Sequence, residues 1–140
     1  MQVKNYILGE WVSGKGEEIN HFHSITGEHI SSPSSEGIDY KAILQYGREK
    51  GSSSLRKMTF QQRGEMLKSL ALYLHKRKEI FYKLSKATGA TKIDSWIDIE
   101  GGIGNLFANA SLRRQFPDLP YFVDGSTANL SKNGSFIGHH

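Results

Sequence analysis

A chain of 140 residues and 15.7 kDa suits one domain with one core, and no stretch approaches the ~20 apolar residues that would cross a bilayer. With no cysteine, it can hold no disulfide, no thiol nucleophile and no thiolate metal site; with no apolar leader either, it is expected to be cytoplasmic and to have no membrane partner. The formal charge of +4 admits an acidic partner, but the basic residues are spread among acids along helical segments and only His75 to Lys78 form a dense run, so solvated helix faces rather than a nucleic-acid site are expected.

The first part, residues 1–36, reads as a β hairpin or meander. "YILGEWV" (Tyr6 to Val12) gathers strand-formers around Gly9 and Glu10, with "SGKGEE" as the following turn. "INHFHSI" alternates, placing Ile19, His21 and His23 on one face, and "TGEHI" gives a turn and a third short strand. "SSPSSEG" then breaks the chain.

Residues 37–114 change to helical period. Ile38, Ala42 and Tyr46 recur every four residues, and Gly51 with its serines is expected to end that helix. Thr59 and Gln62 form a capping-box pair ahead of an apolar stripe, Met66, Leu67, Leu70, Ala71 and Leu74. A further helix through Ile80, Phe81, Leu84 and Ala87 stops at Gly89. Thr91 and Asp94 start the next, in which Asp98 and Glu100 are the only charges between Ser95 and Leu112; so apolar a helix expects cover on several sides. Residues 115–140 read as a β-ribbon, with strands at Tyr121 to Val123 and Leu130 to Ile137 and turns at Asp124-Gly125 and Asn133-Gly134. The fold class is thus α+β: an N-terminal hairpin, a layer of three to four helices and a C-terminal ribbon.

Candidate sites are few. Gly101, Gly102 and Gly104 lack the third glycine of a dinucleotide fingerprint, where Phe107 stands, and they sit inside helical spacing. Each costs about 1 kcal/mol relative to alanine in a helix, so close approach by a backbone or a bulky ligand is the expected reason for them. His21 and His23 share a strand face but lack a third metal ligand. Asp94 and Asp98 share a helix face near an N-terminus, where capping and the dipole favour them over acid–base work, and Glu100 points elsewhere. His139 and His140 close the chain without a readable role. From the residues alone, no catalytic set is complete.

Taken in order, "LGEWVSGKG", "SITGEHI", "MTFQQRGEMLKSLALYLHKRKEIFYKLSKATGAT" and "DSWIDIEGGIGNLFANASL" resemble the N-terminal part of aldehyde dehydrogenases. The likeness is greatest to the bifunctional ring-opening enzymes of phenylacetate degradation; it covers the chain, and "DSWIDIEGGIGNLF" is its specific part. The resemblance implies a partial aldehyde dehydrogenase fold from a parent that oxidises a CoA-thioester semialdehyde with NADP and carries a hotdog-fold hydratase domain. It also implies a homo-oligomer, because the last strands resemble bridging strands that pair with a distant C-terminal strand and pack on another subunit. In that family a cysteine attacks the aldehyde, an asparagine and a backbone N–H hold the oxyanion, and a glutamate activates water. All these lie beyond this chain, which is therefore expected to be inactive alone and to bind no cofactor. Ile97 and Gly101 match positions that line the substrate tunnel. A runner-up is a free-standing interaction module using the apolar helix around Trp96 and Phe107; a third reading is a basic CoA- or nucleic-acid-binding domain.

Overall fold

The computed structural model describes residues 3–123, 125, 128–132 and 134–136. Two short antiparallel ladders come first. Strands β1 (Asn5–Ile7) and β2 (Glu10–Val12) pair Tyr6 with Trp11, whose rings lie 5.0 Å apart. Leu8 and Gly9 both take positive φ, 52° and 90°, the twist that lets a two-residue loop close a hairpin. The turn therefore lies inside "YILGEWV", and "SGKGEE" instead runs alongside residues 33–36. There Lys15 N donates to Glu36 O at 3.0 Å, Ile19 N to Pro33 O at 3.0 Å, and the Asn5 amide to Ser34 O at 2.8 Å. Strands β3 (His21–Phe22) and β4 (His29–Ser31) form the second ladder.

Helix α1 (Tyr40–Tyr46) is capped by Asp39, which accepts from Ala42 N at 2.9 Å. The expected stop at Gly51 does not occur: the chain passes through a π-helical segment, Gly47–Ser52, into α2 (Ser53–Lys57). Ser53 joins the two segments: its hydroxyl donates back to Glu49 O (2.6 Å) and Lys50 O (3.2 Å), and its backbone N–H also donates to Lys50 O. Met58, in extended conformation, ends the run.

Helix α3 (Phe60–His75) has the full capping box, with Gln62 N donating to Thr59 Oγ1 at 3.2 Å and Thr59 N to Gln62 Oε1 at 3.0 Å. Helix α4 (Lys78–Ala87) ends before Gly89, whose φ is 84°. Its last carbonyl, Ala87 O, accepts from Ser24 N at 2.9 Å and so staples the β3–β4 turn to the helical layer. Helix α5 (Lys92–Ser111) starts at Thr91 as expected, and a 3-10 turn, Leu112–Gln115, completes the layer.

Helix α5 packs on both α3 and α4. It comes close to α3 at Gly64, where an added Cβ would clash with the Arg113 side chain of the following 3-10 turn and lie 2.9 Å from Ala110 O. Around this point Gln61 Nε2 donates to Arg113 O at 2.9 Å, Arg113 reaches Glu65, and Phe60 stacks on Phe116 at 4.4 Å. Among the described residues the buried apolar ones are Ala71, Ile103 and Ala110, and no large side chain is fully enclosed. Of the expected α3 stripe, Ala71 is buried, Leu67 and Leu74 are half-buried, and Met66 and Leu70 are exposed.

Strands β5 (Ala128–Ser131) and β6 (Gly134–Phe136) form a C-terminal ribbon. Tyr121 and Phe122 belong to no strand; Phe122 lies edge-on to Phe116 instead. The readings made at Asp124, Asn133, Ile137, His139 and His140 fall outside the described residues. The architecture is α+β and small, with hairpin, helical layer and ribbon in the expected order. Its accessible surface is 10845 Å², against about 7300 Å² for a compact monomer of this mass. Several large apolar side chains contribute to it: Trp11, Ile80, Ile93, Trp96 and Ile97 are all more than half exposed.

Candidate functional site

Helix α5 has a covered side and an open side. At 100° per residue, the buried Ser95, Ile103 and Ala110 share one flank. Opposite them, Ile93, Ile97, Gly101, Gly104 and Ala108 fall within about 40° of a single line, and all five are exposed. At Gly101, Gly102 and Gly104 an added Cβ would meet nothing within 4 Å. At Gly101 and Gly104 the expected close approach does not come from the described residues, because both packing helices lie on the other flank; Gly102 is turned toward that flank but is also exposed. The structure thus puts Ile97 and Gly101 next to one another on an open, shallow-sided strip.

Glu100 sits at the margin of that strip, turned toward α4. Lys78 Nζ donates to its Oε1 at 2.6 Å and the Tyr82 hydroxyl to the same oxygen at 3.2 Å, while His75 Nε2 lies 3.8 Å from Oε2. The hydrogen bond from Lys78 holds the Glu100 carboxyl below its ordinary value, and the same bond raises the lysine. Burial of the phenol, and then the Glu100 charge, raise Tyr82. One turn earlier, Ser85 and Ser95 share a hydroxyl–hydroxyl bond of 2.8 Å. Polar contacts at 95 and 100 therefore fix the rotation of α5 about its axis, and with it the direction of the glycine strip. The sequence reading passed over Lys78 and Tyr82; their spacing of four, beside a helix with two interior acids, was the available signal.

Between α4 and the first turns of α5 lies a groove of about 920 Å³, with Ile25 from the β3–β4 turn on one side. Apolar surface dominates it, with Ile93 and Trp96 prominent and lysines at the rim.

The other candidates have structural work. Asp94 completes the cap of α5, accepting from the Thr91 hydroxyl at 2.6 Å, and Asp98 is exposed. His23 Nδ1 accepts from Ile25 N and Thr26 N at 3.2 and 3.3 Å and so shapes the β3–β4 turn. Among the described residues no three His, Asp or Glu side chains converge on a metal-sized site, and no helix is long and apolar enough to cross a membrane. Trp96 is exposed and Phe107 half-buried.

No family model matches the chain. A curated protein of Aromatoleum evansii, 3,4-dehydroadipyl-CoA semialdehyde dehydrogenase, is 28% identical over 141 residues, covering all of this chain and 27% of that protein. The chain resembles a semialdehyde dehydrogenase along its whole length. It spans about a quarter of that relative, a proportion consistent with an N-terminal part.

NADP, implied by the family resemblance, can be tested against α5. The glycines lie mid-helix, where each backbone N–H is taken up by the carbonyl one turn earlier, so none is free to cradle a pyrophosphate. The glycine segment does not fit that cofactor.

Proposed function

We propose that this chain is the N-terminal part of an NADP-dependent dehydrogenase that oxidises a CoA-thioester semialdehyde in phenylacetate degradation. In this reading it supplies scaffold and one wall of the substrate passage, through Ile97 and Gly101, and is inactive alone. The observation that carries the reading is the open strip on α5. Gly101 and Gly104, which lie on it, cost the helix about 1 kcal/mol each, and no described residue occupies the space they leave. A passage for a bulky thioester accounts for that space, and the named activity of the similar protein supplies such a substrate.

The chemistry asked of these residues is steric. Ile97 gives the passage an apolar side, and Gly101 removes the side chain that would narrow it. Lys78, Tyr82 and Ser85 hold α5 so that this strip faces the passage. The dinucleotide and the reacting groups belong to other parts of the parent. The test is Gly101→Leu in the full-length protein. Turnover of the semialdehyde thioester is expected to fall at least about tenfold, or 1.4 kcal/mol, while unchanged turnover would remove the passage wall.

A second reading has support from the large exposed surface: a free-standing interaction module that docks through α5 around Trp96 and Phe107. The intact mass of the native protein in its source cells, detected with an antibody to this segment, separates the two. A species several times 15.7 kDa favours the dehydrogenase part; a species at that mass favours the module.

A further inference from the structure

We infer that the groove between α4 and α5 holds the phosphorylated adenosine end of the CoA thioester. The inference rests on the dehydrogenase reading above but assigns different residues. The groove's volume of about 920 Å³ falls in the range of small-molecule sites. Trp96 presents a half-exposed indole that stacks on no other ring among the described residues, a platform for a purine.

The rim supplies charge of the right sign. Lys78 is engaged by Glu100. Lys86 and Lys92 have no ion pair among the described residues, and Glu79 is the acid left to oppose them, so one positive charge remains in excess. Lys92 and Ile93 bring the first turn of α5 to the groove edge; the Asp94 carboxylate caps that turn, so the attraction for phosphate rests on the lysines. An apolar, aromatic floor with two free ammonium groups suits a nucleotide phosphate better than a plain fatty chain, which would leave the lysines unused, or a simple anion, which would leave the indole unused.

Placement favours the thioester over the dinucleotide as the source of that adenosine. Ile93 belongs both to the groove lining and to the glycine strip. From Ile93 to Gly101 is eight residues, about 12 Å along the axis, a gap that an extended pantetheine arm spans. A thioester with its acyl end at Gly101 would then rest its nucleotide end between Trp96, Lys86 and Lys92.

The test uses the full-length protein and the double variant Lys86→Gln, Lys92→Gln. KM for the semialdehyde thioester is expected to rise about tenfold, the scale of two exposed charge-assisted contacts, with KM for a CoA-free aldehyde and for the dinucleotide unchanged. Equal effects on both aldehydes, or an effect on the dinucleotide alone, would overturn the assignment. Should the unsubstituted protein oxidise neither aldehyde, the dehydrogenase reading fails, and calorimetry with adenosine 3′,5′-bisphosphate still decides the groove. Binding weakened about tenfold by the double variant, and likewise by Trp96→Leu, upholds it; binding absent or indifferent to these changes rejects it.

Discussion

Two places in the helical layer use glycine inside a helix, and they are opposites. At Gly64 the missing side chain is filled at once by Arg113 and the Ala110 carbonyl, and α3 and α5 lock there. At Gly101 and Gly104 the missing side chains leave open space. The residue type and its cost are the same in both. The difference lies in the neighbour, which the first place has and the second lacks among the described residues. A helical glycine thus does not by itself say whether anything fills the space it leaves.

The sharpest way to break the comparison is Gly64→Val. A branched side chain there must displace the backbone carbonyl of Ala110 as well as the Arg113 stem, and overpacking of that kind costs about 1–3 kcal/mol. Denaturant unfolding should show the loss; an unchanged midpoint would mean that the α3–α5 contact is looser than described. The complementary changes, Gly101→Ala and Gly104→Ala, meet none of the described residues. Each should stabilise the isolated chain by up to about 1 kcal/mol, and a loss of stability would show that the strip is covered. Thr59→Ala removes one half of the α3 capping box and should cost about 1 kcal/mol, a reference for ordinary helix chemistry away from either glycine.

The smallest effect concerns the pairing that sets the rotation of α5. Glu100 is lowered from the ordinary 4.5 by the Lys78 hydrogen bond. The unfolded chain therefore binds the proton first as pH falls, and the contribution is complete above 4.5 and lost as pH drops through the lower folded value. Lys78 is raised, so its share is complete below its ordinary 10.5 and lost as pH rises through the higher folded value. In Glu100→Gln the acid-side slope of stability against pH should flatten. A slope identical to that of the unsubstituted chain would show that the pair does not hold the helices together.

Much of the helical layer was legible because its signals are local. Thr59 with Gln62, Thr91 with Asp94, and Gly89 after α4 each act within one turn, and each stands where the sequence put it. The failures came where a longer-range fact decided. The hairpin closes at Leu8, a residue that ordinarily avoids positive φ, so the later glycine-rich stretch looked like the better turn. Gly51 and its serines looked like a stop, yet Ser53 bonds backward and the helix runs on. Gly64 drew no notice inside a strong apolar stripe, although it is there, and not at the three glycines of α5, that the described residues make a close approach. The Lys78–Glu100–Tyr82 cluster joins residues up to 22 apart, and no local periodicity reports such a meeting.

The wide turn at Gly47–Ser52 has a consequence for how this chain tolerates changes of length. A π-helical segment carries more residues per turn than the helices it joins, so the loss of one residue there would leave a continuous α-helix from α1 into α2 instead of a break. No described residue lies within 4 Å of a side chain added at Gly47 or Gly51, and the staple at Ala87, the cap at Thr91 and the glycine strip are all elsewhere. Among homologous chains, a single-residue gap in this stretch would mark a helix that has been straightened, with the rest of the layer unmoved.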